Sequence, residues 1–167
     1  MSLGIDAGSK YIKVFHTRDN MTACRKMFFE HHGKPLEAVS EIIHSIRSDE
    51  KLVLTGPYGS FIAKSTPGSV YIDETMAVIS ALKQRGIQVR HVVNVGAGSI
   101  KYISLDETGE FQSYHENSLC AAGTGSFIDE QMHRMNYTYD DVAAIAPVVD
   151  PPTVATRCAV FAKSDII

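Results

Sequence analysis

A chain of 167 residues, 44% hydrophobic and 21% charged, can bury one good core or two small lobes, and its net charge of -3 offers no basic excess for nucleic acid. No run of roughly 18 apolar residues could span a bilayer, and no charged n-region leads into an apolar stretch as a secretory signal would. Three cysteines, Cys24, Cys120 and Cys158, cannot all pair within one chain; the odd count points to a reducing, cytoplasmic compartment and to thiol or metal chemistry over a disulfide scaffold.

In chain order, Leu3-Gly4-Ile5 opens a strand that breaks at Asp6-Ala7-Gly8-Ser9, and Tyr11 to His16 alternates as its returning partner. Thr22 to Glu30 reads as a third strand. Pro35 suits a first helical turn, and Leu36, Val39, Ile42, Ile43 and Ile46 recur at helical spacing, which predicts a helix over 35–48. Lys51 to Thr55 is a short apolar strand ended by Gly56-Pro57. The Gly, Pro and Ser of 57–70 predict loop. Asp73 is an N-cap for a helix through Met76, Ile79 and Leu82, closed by Gly86. The opening pattern then returns: a strand at His91–Val95, a tight break at Gly96-Ala97-Gly98-Ser99, strands at 100–105 and 111–115 around a Gly109 turn, then helices near 123–135 and 138–146. After Asp150-Pro151-Pro152 a last helix starts near Cys158. Strand, glycine turn, strand, turn, strand, helix thus occurs twice, from 3 and from 91, as repeated topology without repeated sequence.

Each glycine turn groups useful chemistry. Gly8 lets backbone approach a ligand, exposed N–H groups form an anion-binding nest, Ser9 adds a hydroxyl, and Asp6 can hold a magnesium-bound water. Asn94, Gly96, Gly98 and Ser99 present a similar nest. Two facing nests would clamp a polyphosphate; either turn alone also serves as a plain hairpin connection. Lys10 and Lys13 lie near the first nest, within reach of phosphate or of solvent. The His31-His32 pair beside Gly33 reads as exposed loop in preference to a metal site, and Asp140-Asp141 as a helix cap.

GIDAGSKYIKV (Gly4 to Val14), the LTG of Leu54 to Gly56, and NVGAGSIKYISL (Asn94 to Leu105) resemble the phosphate motifs of the actin–hexokinase–Hsp70 superfamily. Within it, NSLCAAGTGSFIDE and RCAVFAKSDII resemble the activator ATPases of 2-hydroxyacyl-CoA dehydratases and the ATPase subunits of benzoyl-CoA reductase, the BadF/BadG/BcrA/BcrD type, over nearly the whole chain. The resemblance implies an α/β, RNase H-like, actin-like fold. One lobe, 1–88, would be near-complete; 89–167 would be the start of a second, cut short because relatives continue past Ile167 into their adenosine-binding motif. Exposed apolar surface around the last helix would then favour self-association.

The resemblance also bears on chemistry. It implies ATP or ADP with Mg2+, held by Asp6, Gly8, Ser9 and Lys10 on one side and by Asn94, Gly96, Gly98, Ser99, Gly123 and Gly125 on the other, with Asp6 and Asn94 as the catalytic pair. Cys120 and Cys158 each stand before a helix start, where peptide dipoles favour a thiolate. Two such sulfurs suit a soft metal or a 4Fe–4S cluster, which needs four; a twofold dimer supplies two from each copy. Simple burial of both thiols is the alternative. The family implies the dimer with one bridging cluster, loaded by a low-potential donor such as ferredoxin or flavodoxin, with ATP hydrolysis driving an electron onto an acyl-CoA dehydratase or reductase. Asn94 departs from the aspartate usual in these activators, and NVGAGS is closer to type II pantothenate kinases, where an acidic residue near Asp73 or Glu74 would act as base. Those kinases do not resemble the chain around Cys120 and Cys158. A module that binds nucleotide or a partner without turnover is the remaining rival.

Overall fold

A computed structural model describes residues 2–18, 23–45, 50–117, 124–145, 149–156 and 158–166. By compactness the chain divides into Met1–Val92 with Ile103–Ser113, and Val93–Tyr102 with Tyr114–Ile167. In the first unit β1 (Ser2–Ala7), β2 (Tyr11–Arg18), β3 (Ala23–Glu30), β4 (Lys51–Thr55) and β5 (Val70–Tyr71) form a sheet of order β3-β2-β1-β4-β5. β2 runs antiparallel to β1 and β3, while β1, β4 and β5 run parallel. Period-two alternation sends Leu3, Ile5, Ala7, Ile12, Val14, Leu52 and Leu54 to one buried face. α1 (Pro35–His44) covers that face with Val39, and Ile42 and Ile43 pack beside it; Pro35 occupies its first turn, where no backbone donor is missed.

The opposite face is open. Gly4, Asp6, Lys13, Phe15, Lys26, Phe28, Val53 and Thr55 line a hollow of about 430 Å3. Register places Phe28, Lys13, Asp6 and Thr55 side by side across β3, β2, β1 and β4, one row at the carboxyl ends of β1 and β4.

The loop expected over 57–70 is instead α2 (Gly59–Ser65) followed by β5. Tertiary contacts override the turn-forming composition: Ile62 enters the core, Tyr58 N donates to Ala7 O at 3.2 Å, and Gly59 lies so near the Tyr71 ring that a Cβ would sit 3.2 Å from it. α3 (Glu74–Gln84) starts at Asp73, whose carboxylate accepts from Thr75 N at 2.8 Å, and ends before Gly86 at φ +65. Ile79 of α3 joins Ile103 and Leu105 in a small second core.

A three-stranded sheet follows, β6 (His91–Val95), β7 (Ile100–Leu105) and β8 (Phe111–Glu116), with β7 central. β2 is likewise flanked by β1 and β3, so the repeated topology read from the sequence holds in the strands. In the second unit come α4 (Gly125–Met135), α5 (Tyr139–Ala144) and α6 (Ala159–Asp165). Thr138 and Asp141 form a reciprocal capping box at the start of α5. α6 docks on α4 through an ion pair between Lys163 and Glu130, and Arg134 Nη1 donates to Lys163 O at 3.3 Å.

Candidate functional site

The hairpin after β1 is tight because Gly8 N donates to Tyr11 O at 3.1 Å, and a Cβ on Gly8 would lie 2.8 Å from that oxygen. Ser9 is exposed. Lys10 places its ammonium 5.2 Å from the centre of the Tyr11 ring. Asp6 faces two ways. Its Oδ2 pairs with Lys13 Nζ at 2.7 Å, so Lys13 meets a carboxylate here and not solvent alone. Its Oδ1 is buried and has no hydrogen-bond partner among the described residues, and the same holds for Thr55 Oγ1, its neighbour in register. Gly56, at φ +86, closes this corner: a Cβ there would stand 2.5 Å from Asp6 Oδ1 and 2.6 Å from Ala7 O. A carboxylate oxygen without a partner, a hydroxyl and a cradle only glycine can line make a hard-oxygen donor set that fits Mg2+ and its waters.

His31 corrects the reading of an exposed pair. It is only 6% exposed, its ring meets Tyr58 edge-on at 5.9 Å, and its Nδ1 accepts from Gly33 N at 3.1 Å. That bond puts the ring proton on Nε2. His32 is exposed, and among the described residues no three His, Cys, Asp or Glu side chains gather as metal ligands.

In the second unit Gly96 N donates to Ser99 O at 2.7 Å and closes the other turn. Asn94 and Ser99 are half-buried and Gly98 is exposed. Gly125 is committed to this turn: its N–H donates to Gly96 O at 2.9 Å, Ser126 N donates to Ala97 O at 3.0 Å, and a Cβ on Gly125 would come within 3.2 Å of Gly96 O. The fully buried Thr124 precedes it. Asn117 fastens the strand end, accepting from Ile100 N at 2.7 Å and donating its own N–H to Ile100 O at 3.2 Å. Asp6, Gly8, Ser9 and Lys10 thus share the first unit, and Asn94, Gly96, Gly98, Ser99 and Gly125 the second.

Cys120 and Gly123 lie outside the described residues. Cys158 carries a free, half-buried thiol at the extended N-cap of α6, and its carbonyl accepts from Ala162 N at 2.9 Å. A reachable thiol at a helix head fits a soft-metal ligand. Among the described residues it belongs to no group of three or more His, Cys, Asp or Glu side chains. Thr55 was not singled out among the candidate site residues. Its signal in the sequence was membership of the Leu54-Thr55-Gly56 motif, with no role assigned to the hydroxyl.

The model of the BadF/BadG/BcrA/BcrD ATPase family matches residues 3–167. The (R)-2-hydroxyglutaryl-CoA dehydratase activating ATPase of Acidaminococcus fermentans is 28% identical over 177 residues, covering 99% of this chain and 66% of that protein. One of the subunits of the benzoyl-CoA reductase of Thauera aromatica is 31% identical over 81 residues, 48% of this chain and 29% of that one. Among solved structures, the activator of the 2-hydroxyisocaproyl-CoA dehydratase from Clostridium difficile with bound ADPNP aligns with a TM-score of 0.75 at 23% identity, over 98% of this chain and 63% of that one. The chain therefore spans about two thirds of the length of the relatives it matches from end to end. The fold is the α/β, actin-like ATPase fold.

Proposed function

This chain belongs to the BadF/BadG/BcrA/BcrD ATPase family, and from that premise we propose that it binds and hydrolyses ATP to activate an acyl-CoA dehydratase or reductase by delivering it an electron. The observation that carries the proposal is the Asp6 corner: a carboxylate oxygen left unpartnered beside a hydroxyl and a side-chain-free turn, at the carboxyl ends of two parallel strands, where ligands of open α/β sheets bind. In this reading Asp6 holds the water shell of Mg2+, the Gly8–Lys10 turn offers N–H groups and the Ser9 hydroxyl to phosphate, and Lys13 moves from Asp6 Oδ2 to the phosphate charge. Asn94, Gly96, Gly98 and Ser99 supply the second nest. Asn94 accepts a hydrogen bond from a water without adding charge, so the negative charge at the cation comes from Asp6 and the phosphates.

Cys158 and Cys120 would hold half of a 4Fe–4S cluster, with a second copy of the chain holding the rest; when bound, the cluster supplies one-electron chemistry. Anaerobic purification, iron and sulfide determination, and a phosphate-release assay test the reading. Expected are about four irons per dimer, as one shared cluster requires, loss of iron in Cys158→Ser and in Cys120→Ser with unchanged circular dichroism, and ATP turnover that Asp6→Asn removes. Iron retained in both cysteine variants would overturn the electron-carrier part. A second reading, nucleotide binding without turnover, draws on Asn94; it predicts ADP and ATP binding with no phosphate release, even with a low-potential reductant such as reduced ferredoxin or flavodoxin present.

A further inference from the structure

We infer that Thr55, the middle residue of the Leu54-Thr55-Gly56 motif, is a positioning residue of the cation site, sharing with Asp6 the task of fixing metal-bound water. This rests on the nucleotide reading of the Asp6 corner and extends it to a residue on another strand. β1 and β4 run parallel with Asp6 and Thr55 as register partners, and both side chains point to the open face. Asp6 Oδ1 and Thr55 Oγ1 are both buried without a hydrogen-bond partner. A lone orphaned hydroxyl in a folded protein carries a desolvation cost with no return. Two buried oxygens on register neighbours, each without a partner among the described residues and each belonging to a residue that lines the hollow, call for a shared donor.

Charge in the row divides the labour. Lys13 already neutralises Oδ2 from the other side. The remaining Oδ1 is a pure acceptor, whereas the Thr55 hydroxyl both accepts and donates. A water on a hard cation presents two hydrogens and so can donate to both oxygens, while the hydroxyl proton remains free for a phosphate oxygen. Gly56 keeps the space beside Oδ1 clear, because any side chain there would occupy it. The ligand class is therefore a divalent cation with a phosphoryl group, entering at the carboxyl ends of β1 and β4.

Calorimetric titration of the full chain with Mg·ADP, and with ADP in EDTA, tests this on wild type, Thr55→Val and Thr55→Ser. Thr55→Val should weaken Mg·ADP binding roughly tenfold, the scale of one hydrogen bond in a charged site, and leave metal-free ADP binding unchanged. Thr55→Ser should restore wild-type affinity. The melting temperature of ligand-free Thr55→Val should hold or rise, because valine removes an unsatisfied hydroxyl without changing shape. A purely structural role for Thr55 would lower that temperature and both affinities together, and would overturn the inference. Undiminished Mg·ADP affinity in Thr55→Val overturns it as well and leaves the nucleotide reading standing. No Mg·ADP binding by wild type sinks both.

Discussion

Gly56 is the residue on which the site corner turns. Its left-handed backbone excludes ordinary side chains, and a Cβ would collide with Asp6 Oδ1 and Ala7 O, one of them backbone that cannot swing away. Gly56→Ala should therefore destabilise the first unit by roughly 2–4 kcal/mol, read by urea unfolding, through strain and overpacking together. A loss under about 0.5 kcal/mol, the range of ordinary surface changes, would mean that the corner relaxes. The contrast with Thr55 shows what a sequence can carry at this scale. Gly56 stood out as glycine after a strand, and Gly8 through its Asp-Ala-Gly-Ser turn. Thr55 stood in the Leu54-Thr55-Gly56 motif, but its place beside Asp6 became visible only with β4 parallel to β1, because nothing local distinguishes a hydroxyl that needs a ligand from one that needs water. His31 was misjudged for a related reason: its burial comes from Tyr58, distant in sequence.

β1 and β4 were legible because one face of each is buried, which writes period-two alternation into the chain; β4, β6 and β7 have the predicted bounds. α3 was legible through its Asp73 cap. α2 was not, since its seven residues carry no amphipathic signal of their own and are held by Ile62 and by the bond from Tyr58 to Ala7. α5 illustrates a helix resting on its cap. Asp141 accepts from the Thr138 hydroxyl and, at 2.7 Å, from Thr138 N, and these bonds hold its carboxyl below the usual carboxylate range. A lowered folded value means the cap contributes at pH above the unfolded value and fades as pH falls through the folded one. Thr138 and Asp141 amides should thus lose hydrogen-exchange protection on acidification below about pH 4, while Asp141→Asn should show weak protection at every pH. Equal acid sensitivity in both proteins would assign the change to another group.

For the molecule as a whole, assembly is the open quantity. α6 leaves Val160 and Phe161 about two-thirds exposed, 68% and 66%, beside a free thiol at its head. If sulfurs from two copies share one cluster, assembly must depend on iron. Sedimentation should show an iron-loaded dimer that dissociates on chelation under reducing conditions, and Cys158→Ser should stay monomeric at the same concentration. A dimer indifferent to both treatments would rest on apolar contact alone. The bonds from Gly125 and Ser126 to the Gly96–Ala97 carbonyls have a mechanical consequence. They rivet the start of α4 to the hairpin, and the Lys163–Glu130 and Arg134–Lys163 links strap α6 to α4. Any push on the hairpin is thus felt at the head of α4 and, through Glu130 and Arg134, at the last turn of α6, as a lever moves its far arm.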